Sequence, residues 1–139
     1  MDLLSIFSVT NLALNLFGVI VGIIFGFLPG LSATMGVALV MPFTFGMDSI
    51  SAFALLLGVY CGGIYGGSIT AILIRTPGTP ASAATVLDGY PMTERGQARL
   101  ALSTATIASF WGGLFSCVVL IVGARAIANF ALQFGPAEY

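Results

Sequence analysis

From Asn11 to Leu28, and again from Ser51 to Ile74, the chain carries no charged side chain, and glycines recur four residues apart in both runs. Gly18, Gly22, Gly26 and Gly30 mark the first; Gly58, Gly62 and Gly66 mark the second, where Gly63 and Gly67 thicken the series. Residues spaced by four share one slowly drifting face of a helix. A glycine face lets a second helix approach closely, which is how helices associate in a bilayer, where apolar burial gives no drive between them. Packing alone is a sufficient reading of Gly18 and Gly22. A bilayer core takes ~20 helical residues, so each run is long enough to cross one. Composition closes off the soluble alternative: 6% of residues are charged and the mean hydropathy is +1.09, against ~25% charged in soluble domains. With no lysine, no histidine and a formal net charge of −1, nothing marks a nucleic-acid partner. Cys61 and Cys117 sit in apolar runs without other soft ligands, so they read as small apolar residues rather than a disulfide or metal pair.

The N-terminal MDLLSIFSVTNLALN lacks a positive leading region and its apolar run is too long for a cleaved signal, so it reads as mature protein. After the first run, Leu28-Pro29-Gly30-Leu31-Ser32 interrupts the helical pattern, which resumes from Ala33 to Phe45. At ~1.5 Å per residue that piece covers about two-thirds of a ~30 Å core. It reads as a half-helix, and irregular backbone at membrane depth is tolerated only where protein or a water-filled cavity covers it. Gly46-Met47-Asp48-Ser49 reads as an interfacial turn with Asp48 or Ser49 capping the next helix. Tyr60 and Tyr65 are polar handles on the second span.

That span runs into Arg75-Thr76-Pro77-Gly78-Thr79-Pro80. Prolines remove backbone donors and clash one turn back, so a helix is expected to end near Ile74. The next is expected to begin near Pro80 with Thr79 as its N-cap. The first of these ends offers spare carbonyls and the second spare amides. Arg75 to Arg99 holds three of the four arginines, which places it on the cytoplasmic side. Its middle, Asp88-Gly89-Tyr90-Pro91, reads as a turn. Leu100 to Gly123 is another span, and beyond Arg125 a separate short helix, Ala126 to Phe134, is expected to stop at Gly135-Pro136. The expected architecture is all-α: a polytopic integral membrane protein with broken or re-entrant helices. Residues 1–139 form one transmembrane domain with spans 12–28, 51–74 and 100–123, a half-helix 33–45 and a cytoplasmic segment 75–99.

The runs GFLPGLSATMGVALVMPFTFGMD (Gly26–Asp48), GVYCGGIYGGSITAILIRTPGTPASAATVLDGYPMTERGQA (Gly58–Ala98) and FGPAEY (Phe134–Tyr139) resemble the large membrane subunit of tripartite tricarboxylate transporters, the TctA type. Pro29-Gly30-Leu31, Tyr65-Gly66-Gly67-Ser68-Ile69-Thr70, Pro77-Gly78 and Asp88-Gly89-Tyr90-Pro91 fall in the family's order. The resemblance implies an uptake permease of the bacterial inner membrane, served by a periplasmic solute-binding protein and a small membrane subunit, driven by a cation gradient. It implies no cofactor besides the coupling cation, for which Na⁺ is the expectation and H⁺ the open alternative. It also implies that the chain corresponds to the N-terminal part of a longer, inverted-repeat transporter. Arg75 stands where many relatives carry Asn, and Ser32 where Gly is common.

On the residues and the resemblance together, the two proline-glycine breaks are the candidate site. A helix N-terminus carries roughly +0.5 of an elementary charge, so two such ends meeting at depth hold a carboxylate without a lysine. The candidate substrate residues are Gly30, Leu31, Ser32, Thr34, Thr76, Gly78, Thr79 and Ser82. Ser68, Thr70 and the Pro77 carbonyl, with the spare carbonyls of Leu73 and Ile74, are candidates for Na⁺. The plainer readings are inter-helix turns for the loops, hydroxyls bonded to the preceding turn for Ser68 and Thr70, and a snorkelling Arg75. Two other function classes compete. A non-transporting scaffold subunit needs only the glycine faces. An intramembrane enzyme needs a nucleophile and base, and the spans hold no Asp, Glu or His.

Overall fold

The computed structural model describes residues 7–131. Five α-helices follow in order: α1 (Val9–Phe27), α2 (Ala33–Val40), α3 (Ser49–Ile74), α4 (Ala83–Glu94) and α5 (Ala98–Ala131). Single 3-10 turns, Met41–Thr44 and Pro80–Ser82, continue α2 and precede α4. Helices α1, α3 and the Ala98–Ala124 part of α5 are each long and apolar enough to cross a membrane. The chain divides into two compact units, Met1–Ala105 and Thr106–Tyr139.

The first unit is built on the glycine faces of α1 and α3. A Cβ added to Gly18 meets Leu55 O at 2.4 Å, one on Gly22 meets Val59 O at 2.1 Å, and one on Gly26 meets Gly63 O at 2.0 Å. From the other side, Gly58, Gly62 and Gly66 face the carbonyls of Asn15, Val19 and Ile23 at 2.4, 2.3 and 2.6 Å. Backbone rests on backbone over the whole length, so no rotamer change makes room for a methyl group. Contacts rise together in both helices, so α1 and α3 run parallel. Two asparagines extend the same face of α1 at its start. Ser51 Oγ hydrogen-bonds Asn11 Oδ1 at 2.6 Å, and Asn15 Nδ2 donates to Ala54 O at 2.9 Å. Asp48 caps α3 by accepting from the Ser51 amide at 3.1 Å.

Parallel neighbours need a return path, and α2 with its 3-10 turn provides it. Ala33 packs at the level of Gly63, and Gly36 packs on Val59 and Phe25, so the arm descends as its sequence advances. Where a helix over 33–45 is expected, the structure has eight α-helical residues and then a four-residue 3-10 turn with Pro42 in its first positions. Proline cannot donate back into an α-helix, so the tighter turn follows.

Two expectations are corrected. Asp88-Gly89-Tyr90-Pro91 is not a turn but lies inside α4, a 12-residue helix within the 75–99 segment. Packing overrides the local turn signals. A Cβ on Gly89 meets Ile72 Cγ1 at 2.7 Å, and Thr93 Oγ1 donates to Ile72 O at 2.8 Å, which docks the helix on the end of α3. Pro91 lies in the last turn of α4, where the donor it removes is a single one. The second correction concerns Arg125: it does not separate two helices, because α5 continues through it to Ala131. No proline lies between Gly123 and Ala131 to stop it. The Gly135-Pro136 terminator and the N-terminal MDLLSI lie outside the described residues. In the second unit α5 exposes Phe110, Trp111, Phe115 and Ile121, a surface suited to hydrocarbon rather than water.

Candidate functional site

Both breaks end at the same level of α3. Phe27, the last residue of α1, lies against Gly66, whose added Cβ meets Phe27 N at 3.1 Å. From Gly66 to Ile74, α3 continues for eight residues, about 12 Å at ~1.5 Å per residue. The first break therefore sits well below the C-terminal end of its neighbour. At that end Arg75 takes a left-handed conformation (φ 60°, ψ 16°) and reverses the chain. The segment after it folds back down α3. The Gly78 amide donates to Gly67 O at 3.4 Å, and Thr79 packs on Gly67. Helix α4 then climbs back to Ile72, so residues 75–94 form a re-entrant hairpin with its tip at Pro77–Ser82.

The tip fits because three glycines meet. A Cβ on Gly78 would lie 2.2 Å from Gly26 O and 2.8 Å from Gly67 Cα. Thr79 and Ser82 lock the turn internally: the Thr79 amide donates to Ser82 Oγ at 3.2 Å, and Ser82 Oγ donates to Thr79 O at 2.8 Å. At the other break, Gly30 holds a positive φ of 93°, and Ser32 caps α2, its Oγ accepting from the Met35 amide at 3.1 Å.

The two tips share one cavity of about 220 Å³, lined by Ser32, Ala33, Thr34, Tyr60, Ile64, Thr79, Pro80 and Ala81. Tyr60 and Ile64 are the twelfth and sixteenth of the 26 residues of α3, so the cavity lies near the middle of that helix. No lining residue is charged. Among the described residues the backbone amides of Ala33, Thr34 and Ala81 have no acceptor. Those amides belong to residues that line the cavity, together with the hydroxyl-bearing Thr34 and Tyr60 and apolar Ile64 and Pro80. Such a set suits an anionic oxygen group.

Of the eight residues expected to meet substrate, Ser32, Thr34 and Thr79 line this cavity, and Gly78 lies behind it. Gly30, Leu31, Thr76 and Ser82 do not line it. Thr76 Oγ1 donates to Ile74 O at 3.3 Å, and Ser82 is 1% exposed, its hydroxyl spent on Thr79. Of the cation candidates, buried Thr70 lies beside Gly78 and donates to Gly67 O at 3.0 Å, whereas Ser68 donates to Ile64 O at 3.4 Å. Residues two apart on a helix point to opposite sides, so Ser68 and Thr70 do not converge. Pro77 is exposed at the tip. Among the described residues no group of three or more metal-ligating His, Cys, Asp or Glu side chains occurs.

Arg75 stays away from the cavity. Its guanidinium lies over the Tyr90 ring, 5.7 Å from the centroid, with Glu94 in the same exposed cleft. A larger cavity of about 360 Å³ lies at the opposite end of the α1–α3 pair, lined by Phe7, Leu12, Ile50, Phe53, Ala54 and Leu57 with Asn11 and Asn15. Its two amides are committed to Ser51 and Ala54, so it offers a solute little besides apolar wall. Sequence reasoning missed two features, Tyr60 as a lining residue and the Asn11 and Asn15 clasp; it expected spare amides at the helix starts without naming Ala33 or Ala81. The clasp had a signal, since Asn11 and Asn15 continue the Gly18, Gly22, Gly26 face.

The profile of the Tripartite tricarboxylate transporter TctA family matches residues 12–139. An uncharacterised 52.8 kDa protein in the TAR-I ttuC′ 3′ region of Agrobacterium vitis is 40% identical over 147 aligned residues. The alignment covers 100% of this chain and 29% of that relative, so the chain spans under a third of its length. No solved structure matches.

Proposed function

The chain belongs to the tripartite tricarboxylate transporter TctA family, and on that premise we propose that it forms the N-terminal part of a permease taking up tricarboxylates or related carboxylates. It is a multi-pass protein of the bacterial inner membrane. A periplasmic solute-binding protein delivers the solute, a small membrane subunit stands beside the permease, and a cation gradient, Na⁺ or H⁺, drives uptake. Carboxylate oxygens rest on the amides of Ala33, Thr34 and Ala81 and on the Thr34 hydroxyl. Arg75, on the side of the hairpin's charged end, faces the cytoplasm.

One observation carries this reading: two separately broken segments bring their helix starts into a single uncharged cavity at mid-helix. A scaffold explains the glycine faces of α1 and α3 but has no use for that convergence. The test uses the complete subunit with its small subunit and binding protein in proteoliposomes. Labelled citrate and succinate uptake is followed under imposed Na⁺ or proton gradients. Carboxylate-dependent cation flux is the expected result, and its loss in Thr34→Val with normal membrane insertion ties it to the cavity. Gradients that drive no carboxylate uptake would leave the scaffold reading standing.

A further inference from the structure

Tyr60 is the one lining side chain that carries both an aromatic ring and a polar tip, and neither break supplies it. It sits on α3, the continuous helix, and so faces the two tips from a fixed wall. The residue is 47% exposed, and its hydroxyl has no hydrogen-bond partner among the described residues. Four residues on, the same helix presents Ile64 to the cavity. A tyrosine pairs an apolar ring with a polar tip, so the ring lies on the cavity wall while the hydroxyl reaches a solute. Ala33, Thr34 and Ala81 of the two tips and Tyr60 of α3 line the same cavity.

Resting on the cavity reading above, we propose that Tyr60 is the specificity-determining residue of the site. It donates its phenolic proton to a second polar group of the solute while one carboxylate occupies the amides. The site then selects short di- and tricarboxylates and hydroxy-acids over monocarboxylates, because a solute with a single carboxylate leaves the phenol unmatched. A site built to hydrogen-bond a substrate group discriminates strongly against analogues that lack it.

Tyr60→Phe in the complete subunit keeps the ring and removes only the hydroxyl. Uptake of citrate and succinate is measured against butyrate, together with Thr34→Val as the marker of the cavity itself. A hydrogen bond to a charged group corresponds to about a 10- to 100-fold change, so Tyr60→Phe is expected to lower citrate and succinate uptake by that factor. Butyrate uptake stays unchanged, and the preference collapses. If Thr34→Val impairs uptake but Tyr60→Phe alters none of the three solutes, or all three equally, the cavity reading holds and the role of Tyr60 is refuted. If neither variant has any effect, the cavity reading falls and this inference falls with it.

Discussion

Gly78→Ala is the sharpest perturbation of the hairpin tip. The added methyl carbon would stand 2.2 Å from Gly26 O and 2.8 Å from Gly67 Cα, both backbone atoms. Real methyl carbons essentially never come closer than 3.0 Å to such an atom, so the tip must give by close to 1 Å. The bond holding it, Gly78 N to Gly67 O, is already 3.4 Å long and does not survive a retreat away from α3. Overpacking of this kind costs about 1–3 kcal/mol. A shift near 1 Å in a positioned group costs roughly 100-fold in rate. Citrate uptake by the complete subunit in proteoliposomes is therefore expected to fall about 100-fold, with membrane insertion intact because α1 and α3 are untouched. Gly46→Ala is the control, since nothing lies within 4 Å of its added carbon and its φ is not positive. Wild-type uptake in Gly78→Ala, under conditions where Gly46→Ala is also normal, refutes the claim that the tip must sit against Gly26 and Gly67.

Gly22→Ala places a carbon 2.1 Å from Val59 O and is expected to destabilise the α1–α3 pair by about 1–3 kcal/mol in detergent melts. Gly112→Ala, with nothing within 4 Å, should leave those melts unchanged. Arg75→Gly removes a left-handed non-glycine residue, a strain of about 1–2 kcal/mol. In a Tyr90→Leu background, where the ring contact is already gone, it should raise thermal stability; a lower melting temperature would count against strain at Arg75. The Asp48 carboxyl is held below its ordinary 3.8 by the Ser51 hydroxyl and then the Ser51 amide. A depressed folded value means that the cap's contribution is complete above the unfolded value and fades as pH falls through the folded one. Melts taken downward from pH 3.8 should show this loss, and Asp48→Asn should flatten it.

Much of the frame was legible because the signals were local. Pro77 and Pro80 end α3 at Ile74, and Ser32 and Thr79 sit at helix starts, as hydroxyl caps and proline rules require. The glycine spacing announced the face on which α1 and α3 meet, though not that they run parallel. What escaped was tertiary. Nothing near Gly78 in the sequence says that Gly26 and Gly67 leave room for it. Gly89 and Pro91 read as a turn until Ile72 is placed beside them. The candidate site was legible as two loops whose helix starts meet, but not in its lining: the phenol of Tyr60 went unassigned, and Gly30, Leu31, Thr76 and Ser82 were included though they do not line the cavity. Ser82 looked like a ligand because its use as an internal lock depends on the turn it closes.

Gly26 O is shared ground. It belongs to α1, whose Gly26 rests on Gly63 of α3, and it lies directly against Gly78 of the hairpin tip. The first helix therefore cannot rotate or slide without pushing on the second break. The two breaks are thus held against each other by one backbone carbonyl, so a change at Gly26 is also a change at Gly78.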